Sequence, residues 1–351
     1  MFNILVTGGA GFIGSNFIPY FLDRYKAYNI INIDLLTYAG NVENLKECET
    51  SQRYKFIKGN ICNRELIEFI FKEYDIQGVI HFAAESHVDN SIKDPGKFIK
   101  TNVEGTFVLI DTAYKYWMNK PFSYKSKYQK CRFHHISTDE VYGTLNETDL
   151  FTENSPYAPN SPYSASKASA DMIVRSYQET YGLNTLITNC SNNYGPKQHN
   201  EKLIPTIIRK ALAGELVPIY GDGKNIRDWL YVLDHCKGIG LVFQTGVESN
   251  VYNIGGRNER TNLEIVDKVC SILDEQLPCK HNTKLVNNSF IKSSYRDLVT
   301  FVGDRPGHDK RYAIDATKIE VELGWKADED FNSGIEKTIK WYLDEYKQLC
   351  P

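Results

Sequence analysis

The chain has 351 residues, 42% of them hydrophobic and 24% charged, with a formal net charge of -3. That size and balance suit a soluble globular protein of one large or two modest domains and exclude a binder driven by overall positive charge, such as a nucleic-acid protein. No apolar stretch is long enough to cross a bilayer, and Met1-Phe2-Asn3 leads into Ile4-Leu5-Val6 without an export signal, so a cytoplasmic, membrane-free protein is expected.

Along the chain, short β-branched runs at 4–6, 30–33, 56–57, 79–82, 133–136 and 185–188 alternate with helical periodicity, strongest over 98–117 and 165–181. The alternation predicts an α/β fold built on a Rossmann-type doubly wound parallel sheet with helices on both faces. Beyond Asn192 glycine and proline become frequent, with short helices such as 262–276 and 334–349 expected among them. Residues 1–192 are therefore expected to form the sheet domain and 193–351 mainly a smaller, mixed α/β lobe, with chain crossing between them allowed. The eight cysteines form no CxxC pair and no cluster with histidine, so they read as reduced thiols, and no metal site is expected. Residues 115–130 hold five lysines and three tyrosines; a solvated loop is expected there rather than a nucleic-acid patch.

The first motif that carries chemistry is Thr7-Gly8-Gly9-Ala10-Gly11-Phe12-Ile13-Gly14, between the first strand and a helical pattern. Glycines there tighten the turn and let backbone approach a pyrophosphate, while the helix N-terminus supplies N–H donors. Asp34 lies 20 residues past Gly14 at the end of the second strand, where a carboxylate binds ribose hydroxyls and repels a 2′-phosphate. The pattern predicts a dinucleotide site that prefers NAD to NADP. The alternative is a plain glycine turn beside an unrelated surface Asp.

Asn60 and Ile61 follow the third strand, where an adenine ring would lie, and the Asn60 amide suits its exocyclic amine. Phe82-Ala83-Ala84 ends the fourth strand with the small residues that a close dinucleotide requires. His87 either contacts substrate or is held by loop hydrogen bonds. Tyr163 and Lys167, four residues apart, share one helical face, so an ammonium there would lower the phenol pKa and make Tyr163 a base for a sugar hydroxyl. Ser137-Thr138-Asp139-Glu140 places an acid and a base beside that pair, which points to water elimination. Neighbouring strand residues face opposite ways, so both carboxylates reach one sugar only if the strand ends near Thr138. The alternative is a solvated acidic pair. In the second lobe Arg227, Arg305 and His308 offer charge and donors to a diphosphate, or else form inter-lobe salt bridges.

The glycine-rich start, Asp34 and the Tyr163/Lys167 pair resemble the extended short-chain dehydrogenase/reductase family, whose members modify nucleotide sugars. Further segments, from His81-Phe82-Ala83-Ala84-Glu85-Ser86-His87-Val88-Asp89 through Asn189-Cys190-Ser191-Asn192-Asn193-Tyr194-Gly195-Pro196 to Asp304-Arg305-Pro306-Gly307-His308-Asp309, are similar to the dTDP-glucose 4,6-dehydratases within it. The resemblance implies NAD held tightly and regenerated each turnover, a nucleotide-sugar substrate, and a homodimer built on helices 98–117 and 165–181. It also implies that the first domain carries cofactor and catalysis and the second mainly grips the nucleotide sugar.

By the same resemblance, Tyr163 as phenolate takes the 4-hydroxyl proton while hydride leaves C4 for NAD, and Thr138 bonds the developing ketone. Glu140 then removes the C5 proton, protonated Asp139 assists departure of the 6-hydroxyl, and hydride returns to C6. Leu35, Leu36, Thr37, Ser86, Thr101 and Asn193 are implied on the cofactor side, with Lys167 bridging. Asn192, Lys202, Leu203, Pro218, Ile219, Tyr220, Asn262 and Asp304 are implied around the diphosphate, base and ribose. Asn60 stands where Asp is usual, Asn90 where Arg is common, and Gln198-His199-Asn200 where aromatic and proline residues are typical. A 4-epimerase would share Tyr163, Lys167 and NAD without needing Asp139 and Glu140; a UDP-sugar 4,6-dehydratase remains open, and a UDP-glucuronate decarboxylase commonly lacks the Asp.

Overall fold

The computed structural model describes residues 1–285, 290, 293–304 and 307–349. Arg305, expected at the diphosphate, lies outside the described residues. The first half runs β1 (Phe2–Thr7), α1 (Phe12–Arg24), β2 (Tyr28–Asp34), β3 (Tyr54–Lys58), α2 (Arg64–Glu73), β4 (Gly78–His81), α3 (Val88–Lys93), α4 (Pro95–Phe98) and α5 (Gly105–Trp117). A short hairpin of β5 (Met118–Lys120) and β6 (Ser123–Tyr124) leads to β7 (Arg132–Thr138), α6 (Pro162–Tyr181) and β8 (Thr185–Cys190). The hairpin occupies the lysine-rich run expected to be a solvated loop. Lys125 folds back to donate to the Tyr116 carbonyl at 2.7 Å, and Lys127 pairs with Asp75 at 2.6 Å.

The second half adds β9 (Asn192–Tyr194), α7 (Leu203–Ala213), β10 (Val217–Tyr220), β11 (Ile226–Tyr231), α8 (Val232–Thr245), β12 (Val251–Ile254), β13 (Glu259–Thr261), α9 (Asn262–Gln276), β14 (Val299–Val302), α10 (Thr317–Leu323) and α11 (Phe331–Leu349). Strand order in the main sheet is β12-β8-β7-β4-β1-β2-β3, and every neighbouring pair is parallel. The order reverses between β1 and β4, the crevice where doubly wound sheets bind ligands. The seventh strand, β12, comes from the second half of the chain and pairs with β8, Val251 opposite Ile187.

Both sheet faces are covered. Ile4, Val6 and Ile30 pack with Phe17 and Phe21 of α1 and with Ile239 and Phe243 of α8; Leu5, Ile31 and Val79 pack with α2 and α5 on the other side. The continuous apolar runs of these strands follow from burial on both faces. A separate core of Ile207, Ile219, Trp229, Val266 and Ile335 holds the second lobe, whose sheets are β13-β11-β9 and the parallel pair β10-β14. The helix expected over 98–117 is interrupted: residues Ile99–Glu104 form a π-helical segment between α4 and α5. Such segments often mark functional sites, and this one carries Thr101 to the crevice.

Candidate active site

The first turn after β1 is shaped by space. Gly8 has φ +71°, and a Cβ there would lie 2.6 Å from the Ala83 backbone, so the loops after β1 and β4 touch across the reversal point. A Cβ on Gly14 would lie 2.6 Å from the Gly8 carbonyl oxygen. Helix α1 starts on Gly11 with no side-chain cap and no acidic residue in its first turn, leaving its positive end for an anion. Asp34 Oδ2 accepts from Ala10 N at 2.9 Å and Oδ1 from Leu36 N at 2.8 Å, which fixes the carboxylate at the crevice. Burial raises its pKa against these bonds. The glycine cradle, the uncapped helix end and the fixed carboxylate fit a dinucleotide.

One cleft runs from this loop to the end of β7. It is lined by Gly8, Gly11, Phe12, Ile13, Gly14, Asp34, Leu35, Thr37, Asn60, Ile61, Phe82, Ala83, Ala84, Ser86, Thr101, Thr138, Asp139, Glu140, Tyr163, Lys167, Asn192, Asn193 and Lys202. Leu36 contributes its N–H to Asp34 rather than a side chain to the wall. Asn60 Oδ1 already accepts from Cys62 N at 2.9 Å, so its amide is held in place for a further contact. Lys202 Nζ donates to the Ser86 carbonyl at 3.0 Å, and Asn193 Oδ1 lies 2.9 Å from His235 Nδ1. His87 caps α3, its Nδ1 accepting from Asn90 N at 3.3 Å, and its Nε2 lies 4.0 Å from Glu201.

The chemical end of the cleft is set by where β7 stops. Thr138 is its last residue and caps a 3-10 turn of Asp139–Tyr142, its hydroxyl accepting from Glu140 N at 3.3 Å. Gly143, at φ +89°, closes that turn beside Ala158. Because extended backbone ends at Thr138, Asp139 and Glu140 both line the cleft. Asp139 is only 1% exposed, and its Oδ2 has no hydrogen-bond partner among the described residues. Burial first, then the charge of Glu140, push its pKa well above the usual carboxylate range, with Arg227 opposing. Both effects favour the protonated carboxyl.

Helix α6 begins where Ser161 and Ser164 exchange hydrogen bonds in a capping box ahead of Pro162. Tyr163 stands in the first turn and Lys167 in the next. Burial, followed by the Glu140 charge, raises the Tyr163 phenol well above its ordinary value, while a hydrogen bond with Thr138 works the other way. The Lys167 ammonium donates to the Ile136 carbonyl at 2.7 Å and lies 3.3 Å from His135 Nε2. Burial lowers Lys167 to about 8.

Leu203, Pro218, Ile219, Tyr220, Arg227, Asn262, Asp304 and His308 lie outside this cleft wall. Arg227 is buried, stacks on Tyr312 at 4.3 Å and donates to the Asp309 carbonyl at 2.9 Å, so it braces the 309–312 loop near Asp139. Asp304 pairs with His308 at 2.6 Å. Ile219 is buried in the lobe core, whereas Tyr220 is 42% exposed. Pro218 precedes them on β10; Leu203 and Asn262 open α7 and α9. Glu85, Gln198, His199 and Glu201 also line the cleft without having been assigned a role. Glu201 was legible as an acid directly before Lys202; Tyr312 carried no local signal.

A family model described as GDP-mannose 4,6 dehydratase matches residues 5–338. The chain is 52% identical over 343 residues to a dTDP-glucose 4,6-dehydratase of Neisseria gonorrhoeae, covering 97% of this chain and 96% of that one. A crystal structure of dTDP-glucose 4,6-dehydratase from Bacillus anthracis with NAD is 44% identical, with a TM-score of 0.83 and coverage of 99% and 98%. A Streptomyces venezuelae dTDP-glucose 4,6-dehydratase with NAD and TYD bound is 40% identical, with a TM-score of 0.85 and the same coverage.

Proposed function

The chain belongs to the family described as GDP-mannose 4,6 dehydratase, and on that premise we propose that it is an NAD-dependent lyase converting dTDP-glucose to dTDP-4-keto-6-deoxyglucose for deoxysugar synthesis. The observation that carries this reading is Asp139, a buried carboxyl whose protonated form burial favours, beside Glu140 where β7 ends. A 4-epimerase has no use for that pair. The Gly8–Gly14 cradle and Asp34 would hold NAD, which when bound would supply a reversible hydride acceptor.

Each residue then has one task. Tyr163 holds and takes the 4-hydroxyl proton, and Thr138, within hydrogen-bond reach of it, orients the 4-oxygen. Lys167 places positive charge behind that phenol, which becomes effective when substrate and cofactor exclude water from the cleft. The resulting ketone acidifies C5, from which Glu140 removes the proton. Asp139 gives its proton to the departing 6-hydroxyl, and burial keeps that proton in place until then. Arg227, His308, Arg305 and Asn192 are assigned to the diphosphate side, and Lys202 and Leu203 with Pro218, Ile219, Tyr220 and Asn262 to the base and its ribose.

Residues 1–192 are assigned chiefly to cofactor and catalysis and 193–351 chiefly to the nucleotide sugar, with α8 and β12 returning to the first lobe. A homodimer through α5 and α6 completes the reading. Ile99 at 51%, Phe107 at 42% and Met172 at 47% exposure leave large apolar side chains on that face. Unpaired thiols at the seven described cysteines suit a cytoplasmic enzyme. Incubating purified protein with dTDP-glucose, without added reductant, tests the proposal: a product one water lighter is expected, with UDP-glucose a weak competitor. Unchanged substrate or a C4 epimer would overturn it.

A further inference from the structure

Asp171 follows Lys167 by four residues, on the face of α6 that carries Tyr163 and Lys167. Its side chain is completely buried. Its Oδ2 accepts from Ser137 Oγ at 2.8 Å and from Tyr157 OH at 3.0 Å. Its Oδ1 lies 3.1 Å from His135 Nε2 but makes no well-directed hydrogen bond, and His135 Nε2 is also 3.3 Å from the Lys167 ammonium. A carboxylate and a lysine this deep are each costly unless they face opposite charge. Here both approach His135 Nε2 without a direct ion pair between them: Asp171 is the largest influence holding Lys167 protonated against burial, and Lys167 is the largest holding Asp171 ionised.

The other titratable groups around them contribute little positive charge. His135 on β7 and His81 on β4 are kept neutral by burial, and the Cys190 thiol on β8 and the Tyr157 and Tyr142 phenols stay protonated. Ser137 is the residue immediately before Thr138. The carboxylate therefore joins the helix bearing Tyr163 and Lys167 to the strand end bearing Thr138, Asp139 and Glu140.

We propose that Asp171 is a positioning residue of the active site: through Ser137 it sets α6 against the end of β7, and through its charge it keeps Lys167 an ammonium. It acts through Lys167 and does not touch substrate. The proposal rests on the dehydratase reading for its catalytic consequence, but the state of Lys167 is measurable without substrate.

Asp171→Asn, made in the full chain with its cofactor, keeps the shape and removes the charge. The NMR titration of Lys167 in lysine-labelled protein, assigned through Lys167→Met, should fall by about one unit or more. The alkaline limb of the pH profile for C4 oxidation, read as reduced nicotinamide in a single turnover, should move to lower pH by the same amount, with KM within about twofold. Asp171→Glu should recover part of both. Ser137→Ala, a milder change that serves if Asp171→Asn does not fold, weakens the carboxylate and should lower Lys167 less. An unmoved Lys167 titration in a folded variant, or a loss equal at every pH, overturns the proposal. Wild-type turnover of dTDP-glucose, run alongside, separates that failure from failure of the dehydratase reading.

Discussion

Replacing Asp139 with Asn removes one proton while leaving the side chain's shape, and its consequences divide between two steps. General-acid assistance is worth about 10²- to 10⁴-fold, so elimination should slow by that range, about 3–5.5 kcal/mol in barrier. Oxidation at C4 runs through Tyr163 and Thr138 and should stay within about threefold. In a single turnover the reduced-nicotinamide signal should therefore rise at nearly the wild-type rate and then persist. Stability changes in the opposite direction. A carboxyl whose folded pKa is raised destabilises the fold progressively as pH climbs from its unfolded value of 3.8 towards the folded one, each unit of elevation costing about 1.4 kcal/mol. The Asn variant lacks that slope and should gain on wild type across this window in denaturant unfolding. Equal slowing of both steps would refute the acid role; parallel stability profiles would refute a proton held by burial.

Gly14→Ala puts a Cβ 2.6 Å from the Gly8 carbonyl and Gly9 Cα, so cofactor content of the purified protein should drop at least about tenfold while the fold persists. Retained cofactor would mean the cradle is looser than its geometry. Asp34→Ala should narrow the preference for NAD over NADP by about tenfold or more, measured as the ratio of binding constants. Phe107→Glu with Met172→Glu should leave a monomer in sedimentation, because both apolar side chains are exposed on the α5 and α6 face; an unchanged dimer would place the interface elsewhere.

The elements that were legible before the structure are those whose signal is local. The β1 run, the glycines after it and Asp34 sit within one βαβ unit, and the periodicity over 165–181 lies within α6. The helix expected over 262–276 forms with those bounds, and Thr261 and Glu264 make a capping box at its start. Strand β12 was not readable: four residues long, it becomes a strand only by pairing with β8, more than sixty positions earlier. Helix α8 was hidden by Gly238 and Gly240, which lower helix propensity; both sit where a Cβ would press on Ile254 or on Tyr20 and Tyr25. Adjacent carboxylates at Asp139 and Glu140 were evident and Gly143 was compatible with a turn after them, but its packing against Ala158 carried no local signal. Sequence spacing likewise brings Lys167 to the face of Tyr163 but says nothing of the Ile136 carbonyl that binds its ammonium.

The central claim is that one hydride leaves C4 and returns to C6 of the same sugar while Asp139 and Glu140 remove water between them. dTDP-glucose carrying deuterium at C4 tests it directly. The account predicts a product one water lighter with the deuterium at C6 and no net reduction of the cofactor. Deuterium still at C4, or a product that has lost no water, would contradict it.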